Sequence, residues 1–197
     1  MLTNKKRILL IVNNPIFIYQ HLLPIIKSLK DYSELYIVAD YDEKFNLKFK
    51  DVKIINLPIK RNPSFKDILA ISLLCIKRIQ LKPDLCISFT PKGGFINAFT
   101  SINKSKSIHY FTGQRWANFK GIKRIFFKNI DRFIFIKCSS IYCDSFSQSN
   151  FLYKNLGVKK PKVIGKGSIS GVNINKFKSD LESNLKRITK SKEKNIF

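Results

Sequence analysis

Residues 7–17 read RILLIVNNPIF: Arg7, then five apolar residues, then Asn13-Asn14-Pro15. A short unbroken apolar run bounded by a turn signal fits a strand buried on both faces. The Asn-Asn-Pro that stops it fits the start of a helix, with an asparagine as cap and proline in the first turn. The same run, preceded by Lys5 and Lys6, has the outline of a secretion signal, but it breaks after five apolar residues and no small-x-small cleavage site follows. The stretch is therefore a strand leading into a helix, in a cytoplasmic protein.

Working outward, the pattern repeats. After the first strand at 7–12, further strands are predicted at 35–39, 52–57, 85–89, 107–111, 141–143 and 162–164. Helices are predicted at 21–29, 65–80, 92–99, 120–137 and 148–156. Short apolar strands alternating with helices describe an α/β, Rossmann-like parallel sheet with helices on both faces. One domain over 1–165 is expected, followed by a linker and basic tail over 166–197. The linker begins in the glycine-rich GKGSISGV at 165–172, and the lysine-rich remainder from Asn173 is expected to be a frayed helix or disordered.

Composition sets limits on function. Of 197 residues, 37 are basic and 13 acidic, giving a formal charge of +24. That field attracts anions: nucleic acid, acidic lipid or a phosphorylated small molecule. The aromatic residues form no single-strand-binding motif and the lysines are spread along the chain, so nucleic acid is not expected as a partner. Cys75, Cys86, Cys138 and Cys143 form no CxxC pair and read as buried free thiols. With two histidines they make no metal cluster, and no cofactor is expected.

In parallel sheets ligands gather outside the carboxyl ends of the strands. Three unusual segments fall there: NNPIF, TPKGG and TGQRW. In the first, Asn14 serves as a helix cap or meets an acidic group beside free amides. The GxGxxG and lysine-bearing phosphate loops are absent. In the second, Lys92 brings a cation near a helix start, or faces solvent in a plain turn. Gly93 and Gly94 admit the close approach of a ligand or of a neighbouring strand. In the third, His109 precedes Thr112, Gly113, Gln114, Arg115 and Trp116, the chain's one tryptophan. Thr112 and Gln114 offer neutral hydrogen bonds, Gly113 a tight turn, Arg115 a fork for carboxylate or phosphate, and Trp116 a face for a pyranose. That set fits a polyol or phosphorylated sugar. The competing reading makes His109 a hydrogen-bonded residue at the edge of the core and Trp116 a packing anchor. The helix at 120–137 carries Lys123, Arg124 and Lys128 beside Phe126 and Phe127. It fits an anionic membrane surface, or packs on the sheet with its cations in water.

Four passages together resemble the bacterial glycosyltransferases of two-domain GT-B architecture in the retaining family 4 class, those that build capsule, O-antigen and related polysaccharides. They are LPIKR at 57–61, TPKGG at 90–94, HYFTGQRWA at 109–117 with Lys120-Gly121, and DSFSQ at 144–148 with GKGSISGV at 165–172. The resemblance implies the N-terminal, acceptor-binding half of a GT-B fold. It implies a lipid-linked saccharide acceptor, usually on undecaprenyl diphosphate, and a nucleotide sugar as co-substrate. His109 is the implied catalytic residue at the donor–acceptor region. Lys92, Gly93, Gly94, Gly113, Gln114 and Arg115 are the substrate-binding residues it implies, and the residue chemistry above adds Asn14, Thr112 and Trp116 to the expected substrate contacts. Lys123, Arg124, Phe126, Phe127 and Lys128 are the implied membrane contacts, for a peripheral protein on the inner face of the cell membrane. Ser88 stands where the family often has a histidine. Because the sequence stops soon after the glycine-rich linker, the resemblance implies that the donor-binding domain is missing. The chain alone is then expected to be inactive unless a separate polypeptide supplies that half.

Overall fold

In the computed structural model, β1 (Lys6–Ile11) lies inside a seven-stranded parallel sheet, between β2 (Ser33–Ala39) and β4 (Leu85–Phe89). The structure describes residues 5–41, 51–101 and 106–171; the predicted tail lies outside the described residues. The sheet is completed by β3 (Val52–Asn56), β5 (Ser107–Phe111), β6 (Ser140–Cys143) and β7 (Lys162–Val163), in the order β3-β2-β1-β4-β5-β6-β7. The order reverses between β1 and β4, which opens a crevice at their carboxyl ends.

The first helix begins earlier than the sequence periodicity indicates. Asn14 accepts a hydrogen bond from the Ile16 amide at 2.8 Å, and Pro15 occupies the first turn of α1 (Pro15–Phe17). A π-helical turn over Ile18–Leu22 joins it to α2 (Leu23–Tyr32). Pro24 has no amide to give the carbonyl four residues back, and its ring crowds that carbonyl; the widened turn relieves both. The remaining helices are α3 (Lys66–Leu81), α4 (Pro91–Phe99), α5 (Gly121–Lys137) and α6 (Phe146–Leu156), with a 3-10 turn over Arg115–Asn118.

Alternate residues of the strands build two cores. Ile8, Leu10 and Val12 meet Ile18, Leu22 and Ile26 of the first helical run on one face. Leu9 and Ile11 meet Ala70 and Leu74 of α3 and Ile96 of α4 on the other. Further along that second face, Phe111 and Cys143 pack with Ile134 of α5 and Leu152 of α6. A buried Arg78 ties α3 to α4 and β5: it donates to the Asn97 carbonyl at 3.1 Å, Asn97 Oδ1 at 3.0 Å, Thr100 Oγ1 at 2.8 Å and Ser107 Oγ at 3.2 Å.

Candidate functional site

The crevice between β1 and β4 is a cavity of about 260 Å³ bordered by Asn13, Asn14, Arg61, Thr90, Lys92 and Arg115, among others. Three loops at strand ends deliver these groups, and the segment before α3 delivers Arg61. Thr90, which caps α4, sits at φ 65° and ψ 150°. A β-branched residue in that region stores about 1–3 kcal/mol of strain, a hallmark of functional sites. Its Oγ1 accepts from the Gly93 amide at 3.3 Å, a long and weak cap. Thr90→Gly is therefore expected to stabilise the fold by about 1 kcal/mol, because relief of strain outweighs the small loss on capping. Thr90→Val, which keeps the strain and loses the cap, is expected to destabilise it by about 1 kcal/mol. Urea midpoints of the two variants moving in the same direction would refute this account.

Lys92 is not a mobile cation. It forms an ion pair with Asp67 of α3, both side chains being nearly buried, and also donates to the Asn62 carbonyl at 3.3 Å. Arg115 differs: it donates to the Arg61 carbonyl at 3.1 Å and to Asn62 Oδ1 at 3.3 Å, and its guanidinium lies 5.1 Å over the Phe127 ring. These partners are neutral, so Arg115 keeps its charge for an incoming anion.

Gly93 and Gly94 are used for packing. A Cβ on Gly93 would lie 2.8 Å from the Ile11 carbonyl oxygen, and one on Gly94 would overlap the His109 ring. The neighbouring strands, not a ligand, occupy the space that the missing side chains free. His109 itself is fully buried on β5, with Nδ1 2.9 Å from Ser88 Oγ. Ser88 Oγ also accepts from Asn97 Nδ2 at 2.9 Å and lies 3.2 Å from the Ile108 carbonyl, while His109 Nε2 is buried without a partner. Burial pushes the His109 pKa down to about 3. The ring is neutral and does not border the crevice, so the contact with reacting groups expected from the sequence is corrected: here it is a core residue beneath α4.

Trp116 is corrected in the same way. It is fully buried, stacked on Phe151 at 5.1 Å, and donates from Nε1 to Asp131 Oδ2 at 2.7 Å. Arg124 and Lys128 lie over its ring at 5.6 and 5.8 Å, which leaves no face for a pyranose. Burial pushes the Asp131 carboxyl up to about 7 against the lowering effect of the tryptophan N–H.

Thr112 and Gln114, on either side of Gly113, border a separate open hollow of about 520 Å³ with Asp144, Ser145 and Gln148. Gln114 Nε2 and Asp144 Oδ1 are buried there without partners, as is the nearby Tyr110 hydroxyl, whose pKa burial and Asp144 push up to about 12.

Along α5, Lys123 and Phe126 face outward, while Phe127, Arg124 and Lys128 fold onto the aromatic cluster. Among the described residues no helix is long and apolar enough to cross a membrane, and no three His, Cys, Asp or Glu side chains gather in a metal-binding group.

No family model and no curated protein matches the chain. A solved chain assigned as a UDP-N-acetylglucosamine 2-epimerase from Listeria monocytogenes does match in structure, with TM-score 0.54 and 15% identity. The match covers 76% of this chain and 42% of the other. This chain is similar to one Rossmann-like half of that GT-B-like fold. The likeness concerns the fold alone.

Sequence reading missed Asp67, Thr90 and Asp131. Thr90 carried a signal, a Thr-Pro at the end of a strand. Asp67 carried none, since its partner lies 25 residues away.

Proposed function

We propose that this chain is the acceptor-binding half of a retaining glycosyltransferase of the family 4 type, acting in surface polysaccharide synthesis at the inner face of the cell membrane. The observation that carries the reading is the crevice at the reversal of strand order, where Arg115 presents a guanidinium with neutral partners only. The half-GT-B architecture supports it. Arg115 and Arg61 would hold the diphosphate of a lipid-linked saccharide in a forked grip. Lys92, held by Asp67, positions the segment before α3 by binding the Asn62 carbonyl. Transfer breaks the bond between the anomeric carbon of a nucleotide sugar and its diphosphate and joins that carbon to an acceptor hydroxyl with retained configuration. The hydroxyl proton and the nucleoside diphosphate depart. Groups on both sides of the reacting bond are required, so a second, donor-binding half completes the site.

The full chain is expected to bind undecaprenyl-diphosphate saccharides in nanodiscs more tightly than plain anionic nanodiscs, and Arg115→Ala is expected to weaken that binding about tenfold. Equal binding to both kinds of nanodisc would overturn the reading.

A further inference from the structure

A groove of about 420 Å³ runs between α3, α4 and α5. Ile68 and Ile71 of α3, Phe95 and Phe99 of α4, and Phe126 and Ile130 of α5 form its walls. Ile68 is 67% exposed, and Phe99 and Phe126 are each 56% exposed. A continuous apolar strip of this kind, left open to water, marks a surface that something covers.

The polar groups are unevenly placed. Arg61, Lys92 and Arg115 border both this groove and the crevice between β1 and β4, so the cations stand where the two meet. Asp67 already answers the charge of Lys92, whereas Arg115 has neutral partners. Asp131 also lines the groove, and its carboxylate is tied to Trp116. An apolar slot with unanswered positive charge at its mouth is complementary to a molecule with one hydrocarbon chain and one anionic head. A flat membrane would touch the exposed rim and leave the half-buried Ile71 and Phe95 at the interior unused.

We propose that the groove between α3, α4 and α5 takes the hydrocarbon chain of a single-chain lipid phosphate whose phosphate lies on Arg115 and Arg61. This rests on the acceptor reading above and deepens it. The chain lies along the helices, the phosphate at the junction, and the saccharide beyond it in the crevice. Burial of each methylene against the isoleucines and phenylalanines supplies affinity, and the guanidinium fork fixes the register of the head.

Trp116 is the chain's one tryptophan and lines this groove, so it reports on the occupant. The full chain would be titrated with alkyl phosphates of four to ten carbons carrying a terminal bromine, below their micelle concentrations. Tryptophan quenching is expected, with affinity rising about fourfold per added methylene until the groove is filled. Ile68→Glu and Phe126→Glu, at exposed positions and checked for folding by circular dichroism, are each expected to weaken binding at least tenfold; Arg115→Ala is expected to weaken it about tenfold. Affinity independent of chain length, quenching that survives both glutamates, or quenching seen only with brominated lipid vesicles would overturn the proposal. A lipid-free saccharide diphosphate, titrated in parallel, separates the two readings. If it binds while the alkyl phosphates show no dependence on chain length, the groove proposal falls and the acceptor reading stands. If it fails to bind while dependence on chain length holds, the groove proposal stands and the acceptor reading falls.

Discussion

Gly94→Ala is expected to destabilise the protein by about 2 kcal/mol and lower its unfolding midpoint by about 4–8 °C. The added Cβ would lie 2.7 Å from His109 Nδ1 and 2.9 Å from Nε2, inside the closest approach of real side chains. His109 has nowhere to go: it is fully buried, held by Ser88 at 2.9 Å and set edge-on to Phe111 with ring centroids 4.4 Å apart. Alanine favours a helix over glycine by up to about 1 kcal/mol, and the overpacking term exceeds that gain. A double-mutant cycle tests the cause. His109→Ala opens the space that the new methyl needs, so the double variant is expected to be more stable than the sum of the two single changes predicts, by at least about 1 kcal/mol. Strict additivity in urea unfolding would mean that helix and ring do not meet. The same arrangement bears on function. A neutral imidazole sealed under α4 gives ligand binding no inflection near pH 6.5, whereas an exposed contact residue would give one.

What the sequence made legible was everything carried by local pattern. The apolar run 8–12 and the Asn14-Pro15 signal placed β1 and the start of a helix, and the alternation that followed placed all seven strands within two residues of their observed starts. The three strand-end segments were also legible as a group, because parallel strands deliver their carboxyl ends to one side. Side-chain pairing was not legible. His109 faces Gly94 because β4 and β5 register Ser88 beside His109 and α4 then folds back over them. Lys92 meets Asp67 across two helices, and Arg115 reaches the loop at residues 61–62 across more than fifty residues. None of these distances has a periodicity. The amino-acid types that signalled ligand chemistry, Gly, His and Trp, are also those that solve close packing, and in Gly93, Gly94, His109 and Trp116 packing used them. Arg115 was not used in this way: it stays half-buried, with its guanidinium bonded to two neutral oxygens and to no acid, whereas Arg78 is enclosed by four neutral acceptors.

Asp131→Asn is expected to make the protein more stable than the parent above neutral pH, by up to about 4 kcal/mol, with the advantage vanishing near pH 4. The unfolded carboxyl titrates near 3.8, and in the fold burial pushes it up to about 7. Between those values the folded state holds a proton that the unfolded state has released, so the stability supplied by the protonated acid is complete below about pH 4 and is lost as pH rises through about 7. Asparagine keeps an oxygen for the Trp116 N–H at the position of Oδ2 and never ionises. Among the described residues, Arg124 and Lys128, over the tryptophan ring on the same helix, and Arg61, Arg115 and the Lys92–Asp67 pair around the groove, are the charged groups that face this site. Urea unfolding of both proteins from pH 4 to pH 8 reads the difference directly, and the parent's fluorescence is expected to titrate with a midpoint near 7 because its one tryptophan donates to the titrating oxygen. A stability difference that stays constant across that range would show that Asp131 is ionised throughout. A difference that grows with pH would establish a buried acid beside the apolar groove, and filling that groove with hydrocarbon would then raise its pKa further by removing the remaining water.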